Sequence, residues 1–141
     1  MAATALEQEP LSDPQEILFR QVHPSFLRDG RPSSQAFRPT KKDGGELSVA
    51  RGCFTTAQDA YEHHTEKLGL QSAGTWGVLV GECLEADLKT FGDPIGADRA
   101  AVPDAAHAFI DFRNLSGSQV EARGAKLVRH ANQRGSLYTP C

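Results

Sequence analysis

The sequence predicts an α+β domain, a mostly antiparallel sheet with two helices packed on it, in the order ββαβ(β)βαβ. Three observations carry the prediction. Apolar or alternating runs of strand length fall at residues 16–23, 46–50, 75–83 and 107–112. Two stretches with a 3.6-residue apolar period each follow a Ser or Thr cap and stop at a glycine. At 141 residues the chain has the length of one domain with one substantial core.

Taken in order, residues 1–15 lack periodicity and hold two prolines, which predicts a disordered leader before a single domain over 16–141. EILFRQVH alternates Ile17, Phe19 and Gln21 with Leu18, Arg20 and Val22, a first strand that Pro24 ends. Residues 24–45 hold three prolines and three glycines and show no period; a loop this long is usually functional or disordered. Phe26, Leu27, Ala36 and Phe37 supply apolar anchors, so an ordered, packed loop is expected. ELSVA is a short second strand. Thr55 and Gln58 have capping-box spacing, and Ala57, Ala60, Tyr61, His64 and Leu68 form one stripe of a helix that Gly69 ends. TWGVLVGEC reads as a strand over 75–83, DLKTF as a short extension, residues 92–106 as a loop, and HAFIDF as a strand. Ser116 or Ser118 then caps a second helix with the stripe Val120, Gly124, Leu127, Val128, Ala131; Gly135 ends it, and Leu137 and Tyr138 add an edge strand.

The charge is unevenly placed. Residues 20–51 carry seven Arg and Lys against three acids, on a chain whose net charge is −3. A basic segment on an acidic body fits a local anion site better than a nucleic-acid surface, and neither helix gathers its cations on one face. The same segment also reads as a solvated basic loop. Cys53, Cys83 and Cys141 are odd in number and lack CxxC spacing, the usage of a reducing compartment. Residues 1–16 do not have the form of a signal peptide, and no run approaches the ~20 apolar residues of a membrane helix. A cytoplasmic protein without membrane contact is expected.

Several chemistries drop out on spacing. No glycine run leads into Gly-Lys-Ser/Thr, and the glycines around Gly77 precede a strand rather than a helix, so neither phosphate-loop fingerprint is met. His63 and His64 are adjacent, about 100° apart on a helix, and no metal-ligand cluster accompanies them; no metal site is expected. Cys53, just before a helix start, could be held as a thiolate, or could be a structural turn residue. The fuller constellation is Arg20, His23, Arg31, Ser33, Ser34, Arg38 and Ser48, with Thr55 at the following helix start. Guanidinium groups grip phosphate in pairs of hydrogen bonds and hydroxyls add neutral donors. Arg20 sits on the apolar face of its strand and needs a partner there, either a carboxylate such as Asp111 or Glu82, or a bound anion. The site expected from the residues is therefore Arg20, Arg31, Ser33, Ser34 and Arg38 for binding, with His23, Ser48 and His107 for catalysis.

Arg20 or His23 on the first strand, a loop, Ser48 in the strand LSV and then a helix resemble the opening of the ADP-ribosyltransferase-like fold, small toxin-type branches included. The strand through Val78–Cys83 and PDAAHAFIDF resemble its second half, so the likeness spans residues 18–62 and 76–112. It implies NAD as cofactor, held at Arg20 or His23 and at Ser48, and an NAD-dependent transferase activity. The sequence departs from the family in having no STS triplet and no glutamate near HAFIDF, where His107 or Asp111 would have to substitute. Two functions stay open: a domain binding an anionic, nucleotide-like small molecule, and a non-catalytic module gripping a protein partner with the 24–45 loop.

Overall fold

The computed structural model describes residues 8–140; Cys141 and the first seven residues of the expected leader lie outside the described residues. Among the described residues there are eight strands: β1 (Glu9–Pro10), β2 (Ile17–Gln21), β3 (Leu27–Arg28), β4 (Arg31–Pro32), β5 (Glu46–Arg51), β6 (Thr75–Leu79), β7 (Lys89–Gly92) and β8 (His107–Asp111). The helices are α1 (Ala57–Glu62), α2 (Val80–Glu85) and α3 (Gly117–Arg134). The six-stranded sheet runs β1-β7-β8-β5-β2-β6, with every pairing antiparallel, and β3-β4 form a separate small hairpin. The α+β class and the mostly antiparallel sheet are as the sequence predicts.

Strand alternation sorts the sheet into two faces. Leu18, Val22, Leu47, Val49, Trp76, Val78, Ala108, Ile110 and Phe112 belong to one core, which Leu127 and Ala131 of α3 and Ala36 and Phe37 of the long loop cover. The opposite face carries Phe19, Ser48, Ala50, His107 and Phe109, and α1 lies over it, where the Ala57 carbonyl accepts a hydrogen bond from Thr75 Oγ1 at 3.0 Å. The two main helices thus take opposite sides. Ser116 caps α3 with Gln119 answering as a reciprocal capping box, and Gly135 leaves it at φ 86°.

Four local differences from expectation have physical reasons. The segment Glu9–Pro10 of the predicted leader pairs with Gly92 and Phe91, so the described part of residues 1–15 is a strand at the sheet edge. The strand predicted over 75–83 ends at Leu79, because Glu82 Oε1 accepts the Leu79 N–H at 2.8 Å and so caps a helix start; the continuous apolar run VLV serves both elements. α1 begins one residue later than predicted, with Thr56 accepting from Asp59 N, and its last turn, His63–Lys67, is a π-helix. The wider turn shifts Leu68 off the buried stripe, leaving it 44% exposed. The 24–45 loop, by contrast, is ordered and packed as expected: three 3₁₀ turns and the β3-β4 hairpin fill it, with Phe37 fully buried.

Both outer edges are occupied. β1 lies along β7, and at the far edge the Leu137 and Tyr138 N–H groups and the Tyr138 carbonyl meet Thr75 while Arg134 Nη1 donates to the Gly77 carbonyl at 2.9 Å. Arg134 is itself held by Glu82 at 2.8 Å. Among the described residues no helix is long and apolar enough to cross a membrane.

Candidate functional site

The sheet opens between two neighbouring strands. β2 pairs with β6 over five residues, Ile17 to Gln21, but with β5 only at Leu18↔Arg51 and Phe19↔Ala50. Beyond Phe19 the two strands part. The Arg51 N–H points toward β8, donating to the Ala106 carbonyl, and the Gly52 N–H points toward β2, donating to Ile17. Residues 48, 50 and 52 therefore turn their backbone groups toward β2, and at Ser48 these groups face the opening.

Arg20 occupies that fork. Its Nη1 donates to the Ser48 carbonyl at 2.9 Å and its Nε to the Ala36 carbonyl at 2.8 Å. Ala36 is in place because Phe37, in the same 3₁₀ turn, is buried against the core. Neither carboxylate expected as a structural partner serves: Asp111 is held by Arg113 at 2.9 Å and Glu82 by Arg134. Among the described residues no carboxylate lies within ion-pair distance of Arg20. Burial pushes its pKa down to about 10, against the opposing charge of Asp43, so the group remains cationic at neutral pH.

Ser48, exposed on β5, faces a chain of polar groups. His107 Nε2 is 3.2 Å from Ser48 Oγ, and His107 Nδ1 is 3.0 Å from the Asp93 carbonyl and 3.3 Å from its Oδ2. Both oxygens facing Nδ1 are acceptors, which assigns the ring proton to Nδ1 and leaves Nε2 to accept from the serine hydroxyl. Asp93 is buried and also accepts from Arg99 Nη1 at 2.9 Å. Sequence reasoning missed Asp93. Its signal is the register: Gly92 faces Ala108, which sets the next residue opposite His107.

Arg20, Ser48 and His107 line a cleft of about 590 Å³ between the open face of the sheet, α1 with its π turn, and the 92–106 loop, with Asp93 buried behind His107. The volume lies within the range of small-molecule sites. Phe54, Leu68 and Leu70 stand exposed around it, at 62%, 44% and 51%. Phe54 is stacked under the Arg51 guanidinium, 4.7 Å away. His63 Nε2 donates to the Pro103 carbonyl at 3.3 Å, tying the π turn to the facing loop. His64 also lines the cleft; burial and then the charge of Arg20 hold its pKa below the usual imidazole value, although a backbone hydrogen bond at Gln71 pulls the other way.

Of the residues singled out from sequence, the cleft brings together Arg20, Ser48 and His107, with Thr55 beside them. The others lie elsewhere. His23 caps the 3₁₀ turn at Pro24–Phe26, its Nδ1 accepting from Ser25 N at 3.1 Å, the turn-stabilising role open to a histidine before proline. Arg31 is exposed on the β3-β4 hairpin, and Arg38 reaches Glu121 of α3 at 3.7 Å. Ser33 Oγ is buried without a hydrogen-bond partner among the described residues, and Ser34 opens the 3₁₀ turn that holds Phe37. The chain folds the basic loop back over the core face, which removes Arg31, Ser33, Ser34 and Arg38 from the cleft, and His23 stays at the turn that opens the loop.

Cys53 is not a poised nucleophile. Burial and then its hydrogen bond to Glu16, at 3.1 Å, raise its thiol pKa. Cys83 is buried and pushed up to about 12. Among the described residues no group of three or more His, Cys, Asp or Glu side chains could hold a metal ion. No protein-family model, curated protein or solved structure matches the chain.

Proposed function

We infer that the cleft between β2 and β5 binds an anionic, nucleotide-like small molecule, with its phosphate at Arg20 and its flat apolar part among Phe54, Leu68 and Leu70. One observation carries this reading: a guanidinium set into the fork of a sheet, whose hydrogen bonds among the described residues go to carbonyl oxygens, on a residue that lines a ligand-sized cleft. Carbonyls hold the side chain in position, but they do not neutralise it, and a phosphate would. NAD fits this chemistry, and an NAD-dependent transferase is the activity we propose to test first, with Ser48 orienting a ribose hydroxyl and His107, rather than the distant His23, moving the proton.

The apolar anchors of the 24–45 loop favour this reading over a partner-gripping module. Phe37 and Ala36 are buried and Phe26 and Leu27 pack against the core, so they are not presented to a partner. The test is a thermal-shift and calorimetry panel of NAD, ADP-ribose, AMP and phosphate. A true ligand at ~100 times its dissociation constant adds roughly 2.7 kcal/mol of stability. Arg20→Met should weaken the best ligand at least ~10-fold, about 1.4 kcal/mol. If no compound stabilises the wild type, the reading fails.

A further inference from the structure

The geometry points to Ser48 as a catalytic nucleophile, activated by His107 and Asp93, that cleaves carboxylic esters whose alcohol portion carries a negative charge. The choice of an anionic leaving alcohol rests on the anion-binding reading above; the nucleophile itself rests on geometry alone.

Three features combine. Ser48 Oγ lies 3.2 Å from His107 Nε2, which is the acceptor nitrogen by the tautomer argument, and the ring is held from behind by the Asp93 backbone carbonyl at 3.0 Å and the Asp93 carboxylate Oδ2 at 3.3 Å. That is a nucleophile, a base in reach of it, and a third group orienting the base. Asp93 is 3% exposed, so the orienting carboxylate is shielded from water while Ser48 stands open to the cleft. Finally, a fixed positive charge stands beside the backbone of Ser48, on a residue that lines the same cleft. The Ser48 N–H faces the same gap as its carbonyl, and that carbonyl is already in contact with Arg20 Nη1. A structural serine–histidine contact within a closed sheet would have none of this around it.

The reaction balances as follows. Ser48 Oγ attacks the ester carbonyl carbon as its proton passes to His107 Nε2. The tetrahedral intermediate collapses with cleavage of the carbonyl–alkoxide bond, and His107 returns the proton to the departing alcohol. Water, deprotonated by the same nitrogen, attacks the acyl-serine, releasing the carboxylic acid and regenerating the hydroxyl. Net, one ester and one water give one acid and one alcohol. Asp93 is a positioning residue throughout.

The experiment uses a fluorophosphonate, which a nucleophilic serine captures by displacing fluoride, read by intact mass and peptide mapping. One phosphonyl group on Ser48, absent in Ser48→Ala and His107→Ala but retained in Ser118→Ala on exposed α3, is the expected result. In parallel, 4-acetoxybenzoate and its neutral methyl ester are compared as substrates. The anionic ester should be favoured at least ~10-fold in kcat/KM, and Arg20→Met should erase that preference. Asp93→Asn should lower kcat at least ~10-fold with KM little changed, which a merely structural role would not do. Intact protein that binds ADP-ribose yet takes up no phosphonyl group overturns the nucleophile and leaves the anion-binding reading standing. Labelling at Ser48 with no preference for the anionic ester and no nucleotide binding overturns the substrate class and the anion-binding reading together.

Discussion

Phe37→Ala is the substitution that most directly tests how the fork is built. The ring is fully buried in the 3₁₀ turn Ser34–Phe37, packed against α3, and its neighbour Ala36 supplies the carbonyl that holds Arg20 Nε. Truncating a buried phenylalanine to alanine typically removes 3–5 kcal/mol, the transfer term plus the cavity left behind. The site should sit at the middle of that range: Gly124 of α3 has no side chain to fall into the void, and the Phe37 carbonyl stands only 3.1 Å from where a Cβ at Gly124 would be. With an m-value of about 2 kcal/mol/M, a loss of ~4 kcal/mol shifts the urea midpoint by roughly 2 M at unchanged m. Phe37→Leu should recover more than half of the loss. The same variant, assayed where it is still folded, should bind the best anionic ligand more weakly, because Arg20 loses one of its two fixed acceptors. A loss below about 1 kcal/mol would refute the packing argument, since it would mean that the loop carries no weight in the core and that Arg20 is not positioned by it.

Two other expectations concern stability. Burial raises the Glu16 carboxyl, but the hydrogen bonds and charge of Arg51, with Cys53, outweigh it and hold the group below its ordinary 4.5. A depressed carboxylate gives its stabilisation in full above the unfolded value and loses it as pH falls through the folded one. Wild-type stability should therefore decline in acid below about pH 4.5, and Glu16→Gln should flatten that decline; Glu82 and Asp111, likewise depressed after burial is offset by Arg134 and Arg113, would retain part of it. Parallel pH profiles for the two proteins would contradict this. Gly52→Ala should cost roughly 1–3 kcal/mol in chemical denaturation. Its Cβ would stand 2.2 Å from Ile17 Cγ2 and 2.8 Å from the Ile17 carbonyl, prising apart the two strands where they are paired. A neutral result would mean that β2 and β5 are freer to separate than their register implies.

The elements whose signal is local were legible in the sequence. The Ser116 cap with Gln119, the stripe Gly124–Leu127–Ala131 and the stop at Gly135 define α3 without reference to any other segment. The α2 helix was not legible, because the apolar run VLV continues unbroken from strand into helix and its cap is Glu82, a residue that reads as strand-compatible until Arg134 is seen to hold it. For the cleft, Arg20, Ser48 and His107 could be found from their strand positions, since a charge on an apolar face announces an unmet need. Arg31, Ser33, Ser34 and Arg38 were grouped with them by proximity in sequence alone, and the loop's burial of Phe37 carries them to the other face. Asp93 required the β7-β8 register, which is set by non-local pairing and leaves no trace in a window of sequence.

The occupied margins of the sheet have a consequence for how the molecule tolerates trimming. Segments near the two ends of the described chain, Glu9–Pro10 and Leu137–Tyr138, lie against opposite outer strands. Proteolytic removal of either would uncover a row of unpaired amides and carbonyls, on β7 in one case and β6 in the other, and such rows template self-association. Shortened forms should therefore precipitate or oligomerise before they unfold.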